Sequence, residues 1–425
     1  MYVKRCSPVR SCNKMQLRRR PDGGLEVRHW CSSFERRRAL TIEGVIAMQE
    51  SSGVPGAGVR VPFRDLRRLH NIGQQESRAA LDRAIDSCDF ARPNQLIEEF
   101  ESKFAEYCGV RYAVATSSGS SALLLAYLAH GIGAGDEILT VPNTFVATAE
   151  AAIMLGARVR LVDVDPVTQA IDQGAAIRML TPSTKAVVPL HPFGRAAGLE
   201  LLRSVTRERG IALIEEACHA HGARRVGRVG DSAVFSFGPT KPLAGLGEGG
   251  AVVTDDERLA GILRQWNNHG RDGGSHRHLG LNFRIHPMEA AYLTSRLALL
   301  PGLLDERRMI AARYNDAFAE YGVTGNPAVR DPTEHSYYVY VLDVPQRARF
   351  CRRLSELGIG WDIHYPVAIH RQPAHEARFR AAALPQCDRL QERIISLPMI
   401  NGLRKDEIDE VVTAVRSVLE EVTAE

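Results

Sequence analysis

Long apolar runs are missing from this chain. The richest stretch, Ala122–Leu128, ends before His130, far short of the roughly 18–20 apolar residues that a membrane-spanning helix needs. Cysteine is sparse, with eight residues, and the body of the chain has no Cys-x-x-Cys pair. Cys6, Cys12 and Cys31 lie near His29, but their spacing matches no zinc module, so they read as reduced thiols and no metal site is expected. No apolar core follows the basic start, where a secretory leader would carry one; Leu17-Arg18-Arg19-Arg20 stands there instead, and a cytoplasmic protein is expected. Glycine (36) and proline (21) are scattered, which excludes a collagenous or low-complexity chain. There is no internal repeat, and no G-x-x-x-x-G-K-[ST] loop.

What is present is an ordinary globular composition, 44% hydrophobic and 24% charged, with 13 Phe, 11 Tyr and 3 Trp. At 425 residues the chain is too long for one hydrophobic core and suits two or three. The net charge of +4 is unevenly divided. Residues 1–60 carry 12 Lys/Arg against 5 Asp/Glu, whereas the other 365 carry 42 against 45. The basicity therefore belongs to the tail, and a nucleic-acid surface on the body is not expected.

Residues 1–60 show no sustained period and read as an unstructured or partly helical basic extension; Met48 even permits a translation start there. From residue 61 the pattern changes. Ile97, Phe100, Phe104 and Tyr107 fall at helical spacing, with Asn94 as N-cap and Gly109 just past the end. Short apolar runs then alternate with helical stretches: Ala113–Ala115, Ile138–Val141, Val159–Val164, Ala186–Leu190, Ala212–Ile214, Ala233–Phe237 and Ala251–Thr254. Runs apolar on both faces read as buried strands of a mainly parallel sheet. Beyond about residue 300 a strand at Tyr337–Val344, another before His364-Tyr365-Pro366 and an amphipathic closing helix suggest a smaller α+β domain. The expected organisation is an extension (1–60), a large α/β domain (61–300) and a small C-terminal α+β domain (301–425).

Three segments carry chemistry. Thr116-Ser117-Ser118-Gly119-Ser120-Ser121 follows a strand and opens a helix, offering free N–H groups and a positive dipole end to an anion such as phosphate. Lys241 lies in Phe235-Ser236-Phe237-Gly238-Pro239-Thr240-Lys241, where a desolvated amine can form a Schiff base. Glu215-Glu216-Ala217-Cys218-His219-Ala220-His221 leaves the C-terminal end of a buried strand, where open α/β sheets bind ligands. Each alone has a plainer explanation: a capped helix, a solvated loop lysine, and acidic residues opening a helix with His221 filling the core. Together they supply the phosphate anchor, amine and carboxylate that pyridoxal 5′-phosphate needs.

From Val61-Pro62-Phe63-Arg64-Asp65-Leu66 to its end the chain resembles the DegT/DnrJ/StrS aminotransferases, fold-type-I pyridoxal-phosphate enzymes with a mainly parallel sheet flanked by helices. The resemblance implies that Ser118, Gly119, Ser120 and Ser236 hold the cofactor phosphate. It further implies that Phe145 of Pro142-Asn143-Thr144-Phe145 stacks on the pyridine and that Lys241 carries the cofactor. Asn282 of Gly280-Leu281-Asn282-Phe283-Arg284 would reach the phosphate of a neighbouring subunit, implying a homodimer with shared active sites. His191, Arg271, His364 and Tyr365 are similar to segments around the substrate pocket.

Two positions depart from the family pattern Glu-Asp-Ala-Ala-Gln. Glu216 replaces the Asp that pairs with the pyridine nitrogen, placing the charge on a side chain roughly 1.5 Å longer. His219 replaces the Gln that hydrogen-bonds the phenolic oxygen; a neutral imidazole can donate there too. The implied reaction moves an amino group from glutamate or glutamine to the keto group of a nucleotide-linked deoxysugar, with Lys241 as the proton-moving base. A keto-cyclitol acceptor or a 3-amino-5-hydroxybenzoate synthase-like reaction stays open, as does a non-catalytic regulator on the same scaffold.

Overall fold

A computed structural model describes residues 16–19, 25–28, 58–91, 94–323, 329, 331–380 and 382–423. Most of the basic extension lies outside the described residues. Within it, β1 (Gln16–Arg19) and β2 (Leu25–Arg28) pair as an antiparallel hairpin that belongs to a unit of its own.

The main unit is built on a seven-stranded sheet of β3 (Tyr112–Thr116), β4 (Glu137–Thr140), β5 (Arg158–Leu161), β6 (Thr184–Val188), β7 (Ala212–Glu216), β8 (Ser232–Ser236) and β9 (Gly250–Thr254). The strand order is β3-β9-β8-β7-β6-β4-β5. Only β9 runs against the rest. All seven expected strands are present, with ends displaced by a few residues, and helices fill the connections between most of them, as parallel pairing demands. The strand order reverses at β4–β6, the kind of crevice where such sheets bind ligands.

Period-two alternation sorts the side chains onto two faces. Ile214, Val234 and Val252 join Ala122, Leu125 and Ala126 of the helix Gly119–Ala129 in one apolar cluster. Ala233, Phe235 and Val253 join Phe100 and Phe104 of the helix Gln95–Cys108 in another, on the opposite face. That second helix begins where expected: Asn94 accepts the Ile97 N–H at 3.1 Å, and Gly109 ends it at φ 68°. Phe104 meets Phe235 and Phe237 edge-on at 5.2 and 5.1 Å. Truncating so buried a ring costs about 3–5 kcal/mol. The clamp fixes Phe235 and Phe237 on the far face, and alternation then turns Ser236 toward the helix Gly119–Ala129. By the same count Glu216 shares the face of Ile214, and Glu215 points the other way.

Two short strands, β10 (Arg271–Asp272) and β11 (Ser275–His276), form an exposed turn. Further on, β12 (Tyr340–Asp343) pairs antiparallel with β13 (Ile394–Leu397). Around them the helices Leu300–Phe318, Arg347–Glu356 and Lys405–Thr423 enclose a cluster that includes Tyr314, Phe350, Val415 and Leu419. The strand expected before His364 is not formed. That segment makes only isolated bridges, Ile359 with Val61 and Asp362 with Ser396. The Gly360 N–H donates to the Val61 carbonyl whereas Asp362 exchanges bonds with Ser396, so successive residues pair with different partners and no ladder builds up.

Candidate active site

The helix Gly119–Ala129 opens with a capping box: Ser118 Oγ accepts the Ser121 N–H at 3.1 Å, and Ser121 Oγ accepts the Ser118 N–H at 2.9 Å. This consumes the third N–H of the first turn and leaves those of Gly119 and Ser120 with no carbonyl one turn back. Ser236, at the end of β8, closes the other side. A Cβ on Gly119 would lie 2.7 Å from Ser236 Cβ, and one on Gly250 would lie 2.4 Å from the Ser118 carbonyl oxygen. Glycine at both positions lets two backbones and a hydroxyl form a cup with a positive dipole end.

The cup is one end of a cavity of about 520 Å³. Glu216 lies in its wall, 3% exposed. Its Oε2 accepts from Thr144 Oγ1 at 3.1 Å, and its Oε1 accepts the Cys218 N–H at 2.9 Å. The carboxylate is therefore oriented but not saturated. His219 stacks on Tyr338 with ring centres 4.4 Å apart, and its Nε2 meets the Tyr365 hydroxyl at 2.9 Å. Nδ1 of His219 is buried with no partner among the described residues. Burial, and then the charge of Lys241, hold this imidazole well below its ordinary pKa, so it is neutral at physiological pH.

Lys241 follows β8 on a tight turn in which its own N–H donates to the Gly238 carbonyl at 2.9 Å. Its Nζ lies 4.5 Å from the Tyr338 ring centre, a cation–π contact. Burial alone would raise the Tyr338 hydroxyl, but Lys241, Arg64 and a hydrogen bond with Thr240 outweigh it and lower its pKa. Phe145, 57% exposed, stands at the mouth with its ring 6.2 Å from that of Tyr365. His364 completes the wall: Arg64 Nη2 donates to its Nε2 at 3.1 Å, and its Nδ1 therefore donates to Ser396 Oγ at 3.0 Å.

Gly119, Ser120, Phe145, Glu216, His219, Ser236, Lys241, His364 and Tyr365 thus line one cavity. Four other candidates do not. The hydroxyl of Ser118 belongs to the helix cap. Asn282 is exposed outside the cavity, in a segment bridged to Asn268. Arg271 is exposed on the β10–β11 turn. His191 faces the other side of the sheet, where its Nδ1 accepts the Ala197 N–H at 2.9 Å and its Nε2 donates to Glu215 at 2.8 Å; both nitrogens are spent on structure. Sequence reasoning gave no site role to Tyr338, or to Arg64 and Thr144 within their motifs; the fold brings Tyr338 and Arg64 to the wall and Thr144 to the Glu216 carboxylate behind it.

A phosphate cup, an amine and a carboxylate around a ring-sized space fit pyridoxal phosphate. The orphaned Nδ1 of His219 and the glycine cradle beside Ser236 fit it further. The fold and site define a pyridoxal-phosphate aminotransferase, and comparison with known proteins narrows the class. The sequence profile of the DegT/DnrJ/EryC1/StrS aminotransferase family matches residues 71–416, and the chain belongs to that family. It is 37% identical over 337 residues to dTDP-3-amino-3,4,6-trideoxy-alpha-D-glucose transaminase from Micromonospora megalomicea subsp. nigra, covering 76% of this chain and 90% of that one. The structure of DesV from S. venezuelae in complex with a ketimine intermediate superposes with a TM-score of 0.81 at 34% identity, over 85% of this chain and 99% of that one. NtdA from Bacillus subtilis, solved with bound cofactor PMP, gives 0.81 at 27% identity over 85% and 86%.

Proposed function

We propose that this aminotransferase moves an amino group from glutamate or glutamine to the keto carbon of a nucleotide-linked deoxysugar. The observation that carries the proposal is the convergence of Lys241, Glu216 and the Gly119–Ser120 cup on one cavity of about 520 Å³. The relative that acts on a dTDP-linked aminodeoxysugar supports the acceptor class.

When bound through Lys241, pyridoxal phosphate supplies the electron sink that lets the Cα–H bond of the amino donor break. The chain's own groups do the rest. The N–H groups of Gly119 and Ser120 and the hydroxyls of Ser120 and Ser236 hold the phosphate. Glu216, oriented by Thr144 and the Cys218 N–H, holds a proton at the pyridine nitrogen. His219, neutral, presents Nδ1 to the phenolic oxygen, and the Phe145 ring covers the outer face. Lys241 Nζ, once freed, would take the proton from the donor's Cα and deliver it to C4′ of the cofactor, and would move a proton the opposite way, from C4′ to the acceptor carbon, in the second half-reaction. Asn282, outside its own cavity, serves the phosphate of a second copy, so the working unit in this proposal is a homodimer.

Incubating the holoenzyme with L-glutamate and a nucleotide-linked keto-deoxyhexose should yield the aminated nucleotide sugar by mass spectrometry. Amination of a keto-cyclitol in preference to the nucleotide sugar would replace the acceptor assignment.

A further inference from the structure

Lys241 shares the cavity wall with a second cation, Arg64. Arg64 belongs to a segment anchored on both sides. Before it, the N–H groups of Arg60 and Val61 donate to the Gly358 carbonyl at 2.8 and 3.1 Å, and the Gly360 N–H donates to Val61 at 2.8 Å. Gly360 must be glycine, because a Cβ there would lie 2.3 Å from the Phe63 nitrogen. After it, Asp65 caps the helix Leu66–Asn71, and Arg68 makes paired bonds to Glu407 at 2.8 and 2.9 Å. The backbone at Arg64 is thus fixed, and its guanidinium enters the cavity.

There Nη2 meets Asp362 at 3.2 Å and His364 Nε2 at 3.1 Å. Nη1 and Nε have no partner among the described residues, and the side chain is 33% exposed. Lys241 Nζ lies 4.5 Å from the Tyr338 ring centre, which is 5.7 Å from that of His364, the ring that Arg64 contacts. The two cations therefore flank one stretch of wall. The family profile begins at residue 71, so Arg64 lies outside the part of the chain it matches.

We propose that Arg64 is the anion-binding residue of the substrate pocket and takes the α-carboxylate of the amino donor, deepening the aminotransferase reading on which it rests. An α-amino acid presents its amine and carboxylate on one carbon. An amine delivered at Lys241 places the carboxylate in the cavity whose wall Arg64 shares. The free N–H groups of the guanidinium can each give a carboxylate oxygen a charge-assisted hydrogen bond. The phosphates of a nucleotide sugar offer the same chemistry, but they lie beyond the sugar ring, away from the reacting carbon.

The test uses holoenzyme and follows the bleaching of its visible band in the donor half-reaction. L-Glutamate is compared with L-isoglutamine, whose α-carboxyl is a neutral amide of the same shape. In wild type, L-glutamate should be preferred. In Arg64→Met the KM for L-glutamate should rise about 10- to 100-fold, with L-isoglutamine unaffected, so that the preference disappears. Because the preference is a ratio within one variant, loss of folded protein does not change it. Arg64→Lys should restore it in part. A preference kept in Arg64→Met would overturn the proposal. So would an unchanged glutamate KM with a raised nucleotide-sugar KM in the second half-reaction, which would assign Arg64 to phosphate. A wild-type holoenzyme that reacts with no donor would instead refute the aminotransferase reading itself.

Discussion

Glu215 and Glu216 are neighbours on one strand, and each lies near a histidine, yet the two faces of the sheet use them in opposite ways. On the far face Glu215 is fully buried and saturated. It accepts from His191 Nε2 at 2.8 Å, from the Gly227 and Val229 N–H groups at 2.9 Å and from the Gly230 N–H at 2.6 Å. On the cavity face Glu216 accepts two bonds, and His219 keeps a nitrogen without a partner. A buried polar group left short of partners costs stability. The saturated pair ties loops together, and the unsaturated pair is free to meet a ligand. Both pairs are acidic and imidazole residues at strand ends; bond count, not residue type, separates them.

The comparison can be broken or sharpened by substitution. The largest effect is expected at Lys241 on the cavity side: Lys241→Ala should slow donor-dependent bleaching by at least about a thousandfold, with little change in the unfolding midpoint. Full turnover in that variant would remove Lys241 from the chemistry. Glu215→Gln should do the reverse, lowering stability by about 3 kcal/mol in urea titration while the surviving folded enzyme keeps its kcat within a few-fold. Glu216→Gln should lower kcat about 100-fold and leave the urea midpoint nearly unmoved. If Glu216→Gln unfolded the protein and Glu215→Gln inactivated it, the contrast between the faces would be inverted.

The pH dependence sharpens the same contrast. Burial raises the Glu215 carboxyl, but the hydrogen bond from His191 and those from the Gly230 and Gly227 N–H groups outweigh it, and its pKa falls below the usual range. A depressed carboxyl contributes stability that is complete above its unfolded value, about 4.3, and lost as pH falls through the lower folded value. The stability gap between wild type and Glu215→Gln should therefore narrow under acid; a gap constant down to about pH 2 would contradict it. The smallest effect is expected from His219→Gln. It should change activity less than about tenfold and leave the profile between about pH 5.5 and 8 unmoved, since His219 carries no charge there.

Much of this was legible in the sequence for a physical reason. Strands buried on both faces write themselves as short apolar runs, and the anion cup and the lysine loop are local, with each function carried by a few consecutive residues. What depended on side-chain direction was less legible. His191 follows β6 at the expected edge, but alternation and the Ala197 N–H turn it onto the far face. Arg271 has a suggestive neighbourhood in Asn268-His269-Gly270, yet the turn it occupies faces solvent. The segment before His364 is apolar enough for a strand, but its bridges go to two different partners, Val61 and Ser396, and no ladder forms. Arg64 and Tyr338 reach the cavity from points 274 residues apart in the chain, a proximity that no pattern of spacing encodes.

The most direct test of the account is the visible spectrum of the holoenzyme before and after L-glutamate, followed by borohydride reduction and peptide mapping. The account predicts a yellow protein that bleaches with donor and, when reduced before donor is added, carries the cofactor on Lys241. A protein that stays colourless with added pyridoxal phosphate, or a label fixed on another residue, would contradict it.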